Sequence, residues 1–309
     1  MLDRSIERRL EGLRDLPAVP LVISQVLKAL DNPNMRANTL AKLIERDQTL
    51  TSKVLKVANS AFYGFSRRIS TIDLAIIIMG LNSIKEIVIG LVVQRFLSKI
   101  NKNLLDVNVF WQYSLFCGAC SRVLARKMGY KLAGEAFVAG LMHDLGILIL
   151  LQYFTKEFRQ ISILQEEEKF SLIEAEQIVL NCTHAEIGAW LAKKWNLPEN
   201  LCQAIEHHHT PFYKFNDLEP VNEGISEIRQ PLTAIVSMAE WMADEIGYKS
   251  WSNANRKSEL YLGAEIFDDF NSSDIMDGKS AFQILKQEII EEYERASEFQ
   301  LERSTNLYK

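Results

Sequence analysis

The sequence predicts an all-α protein, and three observations carry that prediction. Apolar residues recur three and four positions apart through almost the whole of the 309-residue chain, the spacing that lines one face of a helix. Only 7 prolines and 14 glycines interrupt it. No stretch alternates polar and apolar residues for long enough to make a half-buried strand.

Each element follows from a local pattern. "LVISQVLKAL" opens behind Pro20, "TLAKLIERD" follows Asn38-Thr39, and "STIDLAIIIMGLNSIKEIVIGLVVQRFL" starts at Thr71 to Asp73, all helix-start signals. "LTSKVLKVANSAFY" runs up to Gly64, a residue able to stop a helix. The polar breaks "DNPNMRAN" and "YGFSRRIS" separate these helices. "SKINKNLLDVN" then divides an N-terminal helical lobe from a second lobe. The second contains "VFWQYSLFCGACSRVLARKMG", "GLMHDLGILIL", "KEFRQISILQEEEKFSLIEAEQIVL", "THAEIGAWLAKKWNLP" and "NLCQAIEHHHTP". The polar stretch between Pro211 and Pro231 reads as a long loop, followed by the helix "LTAIVSMAEWMADEIG". The acidic tail "SAFQILKQEIIEEYERASEFQLERS" is amphipathic and is expected to pack on the body.

Composition narrows the function classes. With 48% hydrophobic residues, the chain can bury a substantial core. Its 35 basic and 40 acidic side chains give a net charge of -5, which argues against a protein that works mainly by gripping nucleic-acid phosphates. The charged start "MLDRSIERRLEGLRDLP" has no apolar leader. The longest apolar run is broken by Asn82, Ser83, Lys85 and Glu86, which makes it a poor membrane span. A cytoplasmic protein without a membrane partner is expected. Cys117 and Cys120 form a C-x-x-C, but no βαβ pattern surrounds them and Cys182 and Cys202 add no second close pair. Core packing is the reading for all four.

The histidines are the strongest chemical signal. All 5 lie at His143, at His184 and in the run 207–209, on three separate helical segments of the second lobe. A metal site assembled from helices needs such separated contributions, because one helix face rarely offers more than two ligands. The His143-Asp144 pair can also hydrogen-bond within an apolar core without any ion. Both readings stand. Elsewhere, Asn59, Ser60 and Tyr63 read as a cap and turn or as a contact surface. Arg67 and Arg68 read as a solvated loop pair, or as a grip on a phosphate or acidic partner.

The collinear order "LPAVP" (16–20), "IERDQTLTSKVLKVANSAFYG" (44–64), "AIIIMGLNSIKEIV" (75–88), "FWQYS" (110–114), "GLMHDLG" (140–146), "THAEIGAWLAKKWNLP" (183–198) and "IEHHHTP" (205–211) resembles the HDOD family. This is the HD-related output domain of bacterial signalling proteins. The resemblance implies an HDOD module over 16–213: an N-terminal helical lobe, 16–103, joined to an HD-domain-like lobe, 104–213, that continues to about 247. Residues 1–15 would be a helical lead-in and 248–309 a C-terminal helical extension.

The HD relatives that hydrolyse phosphoesters bind metal through an early histidine, a His-Asp doublet and a late aspartate; the HD-GYP phosphodiesterases add further histidines and a lysine. On that pattern His143 and Asp144 match the doublet, and His184, His208 and His209 match the additional histidines. Tyr113 stands where the early histidine would be, Glu240 where the late aspartate would be, and Ile147 where the lysine would be. A phenol with an ordinary pKa of about 10 is a poor ligand for a hard divalent ion near neutrality. The resemblance therefore implies a non-catalytic signalling module that binds a protein partner or a nucleotide, with no cofactor expected. The alternative is a phosphohydrolase acting on a nucleotide or cyclic dinucleotide through iron, manganese, magnesium or nickel. A seam between the lobes is the expected docking place, with Phe62, Tyr63, Arg67, Arg68 and Tyr113 as candidate contacts.

Overall fold

The computed structural model describes residues 2–13, 25–26, 29, 35–60, 63–65, 68–98, 100, 106–210, 230–248 and 278–297. Every regular element among the described residues is a helix. The expected loop between Pro211 and Pro231 lies almost wholly outside them, as do Phe62 and Arg67.

Three of the helices that precede residue 98 are capped by a side chain. In α1 (Arg4–Glu11) the Asp3 carboxylate accepts from the amides of Ser5 and Ile6, while Ile6 and Leu10 face the core. Helix α2 (Ala37–Ile44) starts slightly before its sequence signal: Arg36 is the N-cap, and Asn38 and Thr39 lie within the helix. Asp47 caps α3 (Gln48–Ala58) through the Leu50 amide. Asn59 then staples the following loop, donating to Leu55 O and Ile69 O and accepting from the Ile69 amide at 2.7 Å. The cap-and-turn reading of that residue is the observed one. Thr71 caps α4 (Ile72–Leu97), as its sequence signal indicates, but the helix breaks at Gly80, whose φ of 81° suits glycine.

The second lobe centres on α5 (Val107–Lys127) and α6 (Ala133–Met142), packed against one another. Helices α7 (Leu145–Tyr153), α8 (Thr155–Glu167) and α9 (Leu172–Leu180) follow. The segment read from sequence as one helical stretch divides into α8 and α9, with Lys169 at φ 63° in the turn. Helices α10 (His184–Lys194) and α11 (Glu199–His207) pack together, and α12 (Pro231–Ile246) lies on α5 with Pro231 in its first turn.

The acidic tail does pack on the body. In α13 (Gly278–Ala296), Leu285 and Ile289 are buried, the Tyr293 ring lies tilted against Phe116 with ring centres 5.4 Å apart, and Glu288 pairs with Lys127 at 2.6 Å. One apolar core runs through both lobes. Two stretches, Ile72–Leu97 and Ala133–Tyr153, are apolar enough to cross a membrane by composition, but their most apolar windows are 56% and 89% buried inside the protein. That burial accounts for their hydropathy as core helices. All four cysteines are free and buried, consistent with packing rather than redox chemistry.

Candidate metal centre

The histidines converge because helix ends converge. The apolar run around the doublet is two helices rather than one: His143 ends α6 and Asp144 precedes α7. Both side chains therefore project from a corner inside the core. His184 is the first residue of α10, fixed by a reciprocal cap in which Thr183 accepts from the Glu186 amide and Glu186 accepts from the Thr183 amide. His208 and His209 follow the end of α11. Glu240 enters from the buried face of α12.

Close packing fixes the corner. A Cβ on Gly146 would stand 1.9 Å from the His184 carbonyl oxygen and 2.8 Å from the Gly188 nitrogen, so α7 and α10 touch backbone to backbone there. Only glycine permits that approach.

Asp144 is the hub. Its Oδ1 lies 3.3 Å from His184 Nε2 and 3.9 Å from His208 Nε2, while Oδ2 lies 3.3 Å from His143 Nε2. Glu240 reaches His143 Nε2 at 4.0 Å and His209 Nδ1 at 3.6 Å. His209 Nε2 is 3.2 Å from His184 Nε2. Ligand-type atoms of Asp144, His184, His208 and His209 all lie within 4.8 Å of one another, and those of His143, Asp144 and Glu240 form a second such group. All six side chains are buried.

The outer nitrogens indicate what the inner ones can do. His143 Nδ1 donates to Gly140 O, and His208 Nδ1 donates to Ile205 O, each at 2.7 Å. A carbonyl can only accept, so in the neutral rings Nε2 carries the lone pair. Neither Nε2 has a hydrogen-bond partner, and both face the cluster. Metal-ligating histidines are oriented in this way, with the distal nitrogen held by a carbonyl or carboxylate. Ser237 also donates to the His208 carbonyl, tying α12 to this corner. The donor set fits a divalent ion.

Burial and charge act in opposite directions on the rings. Burial pushes His208 well below the usual histidine range, and the neighbouring His143 and His184 rings add to the shift. Burial alone would also depress His184, but the Glu176 carboxylate, with further help from Asp144, outweighs it and carries the pKa up to about 10. In the metal-free protein the proton on His184 Nε2 therefore occupies a ligand position. An ion entering there must displace it.

The structure brings together all six residues singled out as metal candidates. Tyr113 is buried beside them, its ring centre 6.0 Å from that of His143. The fifth histidine, His207, lies outside the cluster, with Thr210 as its neighbour. Ile147, at the position of the lysine, is wholly buried. Arg68 is exposed on the first lobe. Tyr63 lines a separate interlobe cavity whose walls include none of the histidines. Sequence reasoning missed Glu176, which anchors His184; its only signal is a carboxylate on the otherwise apolar face of "LIEAEQIVL".

An all-helical frame carrying a His-Asp doublet among further histidines defines a domain of the HD type. The HDOD domain profile matches residues 16–211, and the chain belongs to that family. A crystal structure of an HDOD domain protein of unknown function from Geobacter sulfurreducens is 27% identical, with a TM-score of 0.67, covering 95% of this chain and 96% of that one. A structure from Shewanella amazonensis SB2B, provisionally described as a phosphohydrolase, is 22% identical with a TM-score of 0.66, over 94% of this chain and 98% of that one, and shows the same fold. An uncharacterized protein of Treponema pallidum (strain Nichols) is 27% identical over 200 residues, 64% of this chain. The match spans 38% of that relative's length.

Proposed function

We propose that this chain is a non-catalytic signalling module in which the histidine centre is a closed structural core. The observation that carries this reading is burial: His143, Asp144, His184, His208, His209 and Glu240 are each at most 7% exposed. Structural metal sites are closed, whereas catalytic ones keep a position open to water and substrate. Tyr113 at the early histidine position and Ile147 at the lysine position support the same reading. A divalent ion would be held by the buried imidazoles with Asp144 and Glu240. At an open site such an ion would polarise a phosphoryl oxygen or activate water.

The output is binding of a signalling protein in the cytoplasm. Phe65, Ile77 and Ile78 leave 39%, 72% and 43% of their surface exposed on the N-terminal lobe, the side-chain chemistry of a docking face. Metal analysis of protein purified without a histidine tag, combined with a cyclic-dinucleotide hydrolysis assay, tests this function. Bound metal without turnover supports it. Turnover that disappears in His143→Ala supports the second reading, a metal-dependent phosphohydrolase, which the inward-facing lone pairs of His143 and His208 favour.

A further inference from the structure

A cavity of about 510 Å³ lies on the seam between the two lobes, away from the histidines. The first lobe contributes Tyr63, Lys85, Glu86 and Ile89; the second contributes Arg122, Arg126, Lys131, Leu132, Val138 and Leu201. Its size is that of a small-molecule site, and seams between lobes are where such sites concentrate.

The charge in the wall is positive. Its cations are Lys85, Arg122, Arg126 and Lys131 and its acids are Glu86 and Glu135, four against two. Glu86 pairs with Arg122 at 2.7 Å, but the single carboxylate of Glu292 is shared among Arg122 at 3.6 Å, Arg126 at 3.2 Å and Arg295 at 3.7 Å. Glu135 accepts from the Tyr130 hydroxyl at 2.7 Å. Arg126 and Lys131 remain on the exposed rim.

The same cavity is also lined by apolar Ile89, Leu132, Val138 and Leu201, together with Tyr63. The first turn of α6 also lines this space through Ala133 and Gly134, with the Glu86 carboxylate packed against Gly134. Guanidinium and ammonium groups together with apolar surface in one cavity suit a ligand with a phosphate head and an organic body.

We propose that this interlobe cavity binds a phosphate monoester of mononucleotide size. Arg126 and Lys131 take the phosphate, and Tyr63, Leu132 and Leu201 take the organic body. The site deepens the signalling reading by placing the small-molecule signal at the lobe seam, and it stands independently of whether the histidine centre holds a metal.

Calorimetric titration of the full chain with adenosine 5′-monophosphate and guanosine 5′-monophosphate, with adenosine as the uncharged control, tests the proposal. Saturable binding of at least one nucleotide is expected with a Kd of about 1 mM or tighter, with none for adenosine. Lys131→Glu, on an exposed side chain, and separately Lys85→Glu should each weaken it by about tenfold or more while the helical circular dichroism signal is retained. Chelation of metal should leave the binding unchanged. Absence of saturable binding for both nucleotides overturns the proposal, as does equal binding of adenosine or wild-type affinity in both folded variants. Binding that is lost on chelation and insensitive to the lysine variants moves the ligand to the histidine centre and also overturns it.

Discussion

Glu176 grips His184 twice: its carboxylate accepts from the His184 backbone amide at 2.9 Å and from the ring Nδ1, also at 2.9 Å. One wholly buried acid, eight positions before the histidine, thereby sets the start of α10 and the orientation of the ring. The inner nitrogen is left pointing at Asp144. Partners of this kind behind a ligand are worth about 10–100-fold in metal affinity. Glu176→Gln should therefore bind zinc or manganese about tenfold more weakly with the fold kept, as read by chelator competition. An unchanged affinity would mean that His184 is not a ligand.

The same contact sets a pH dependence in the metal-free protein. The folded-state pKa of His184 is raised from 6.5 to about 10, so folding favours its protonated form. The resulting stability is fully present below pH 6.5 and is lost as pH rises through about 10. The difference in melting temperature between chelated wild type and chelated His184→Gln should shrink across that window. A difference that grows with pH would contradict the assignment.

Asp144 sits among three imidazoles, and its removal leaves buried polar groups without compensation. Asp144→Ala should cost about 3 kcal/mol in urea unfolding of the chelated protein. Chelation should lower the melting temperature of the wild type, because an ion bound only to the native state stabilises it. The variant should not respond to chelator. A wild type that is equally indifferent would leave the centre as a hydrogen-bonded core without metal.

Gly146 offers a steric test. The Cβ of Gly146→Ala would meet the His184 backbone, which cannot rotate away. The substitution should destabilise by about 3 kcal/mol and lower metal content with it. Stability within experimental error of the wild type would show that α7 and α10 are not in backbone contact.

The interlobe ion pair makes a separate prediction. Arg122 and Glu86 are both nearly fully buried and paired at 2.7 Å. Arg122→Met should cost about 3 kcal/mol by leaving Glu86 charged and unpaired. Adding Glu86→Gln should recover part of that loss, as a double-mutant cycle would show. Additive losses would mean that the two side chains do not interact.

The parts of this molecule that were legible in the sequence are those set by local pattern. Apolar periodicity identifies the helices and the Thr71 cap, and the clustering of histidines in three apolar segments identifies the centre. Local pattern cannot show that the run around His143 turns a corner, because Gly140 to Leu150 is apolar on every side and has no period to break. Glu176, Glu86 and Arg122 were missed for a related reason. Each is a charged residue whose partner lies on another helix, and a single sequence gives no sign of such pairing.

The most direct test of a closed, non-catalytic centre is hydrolysis of cyclic di-GMP by the purified, untagged chain with manganese or iron supplied. The six buried groups, Tyr113 beside His143 and Ile147 in the core lead to the expectation of no turnover above background. Metal-dependent turnover that His143→Ala abolishes would contradict it.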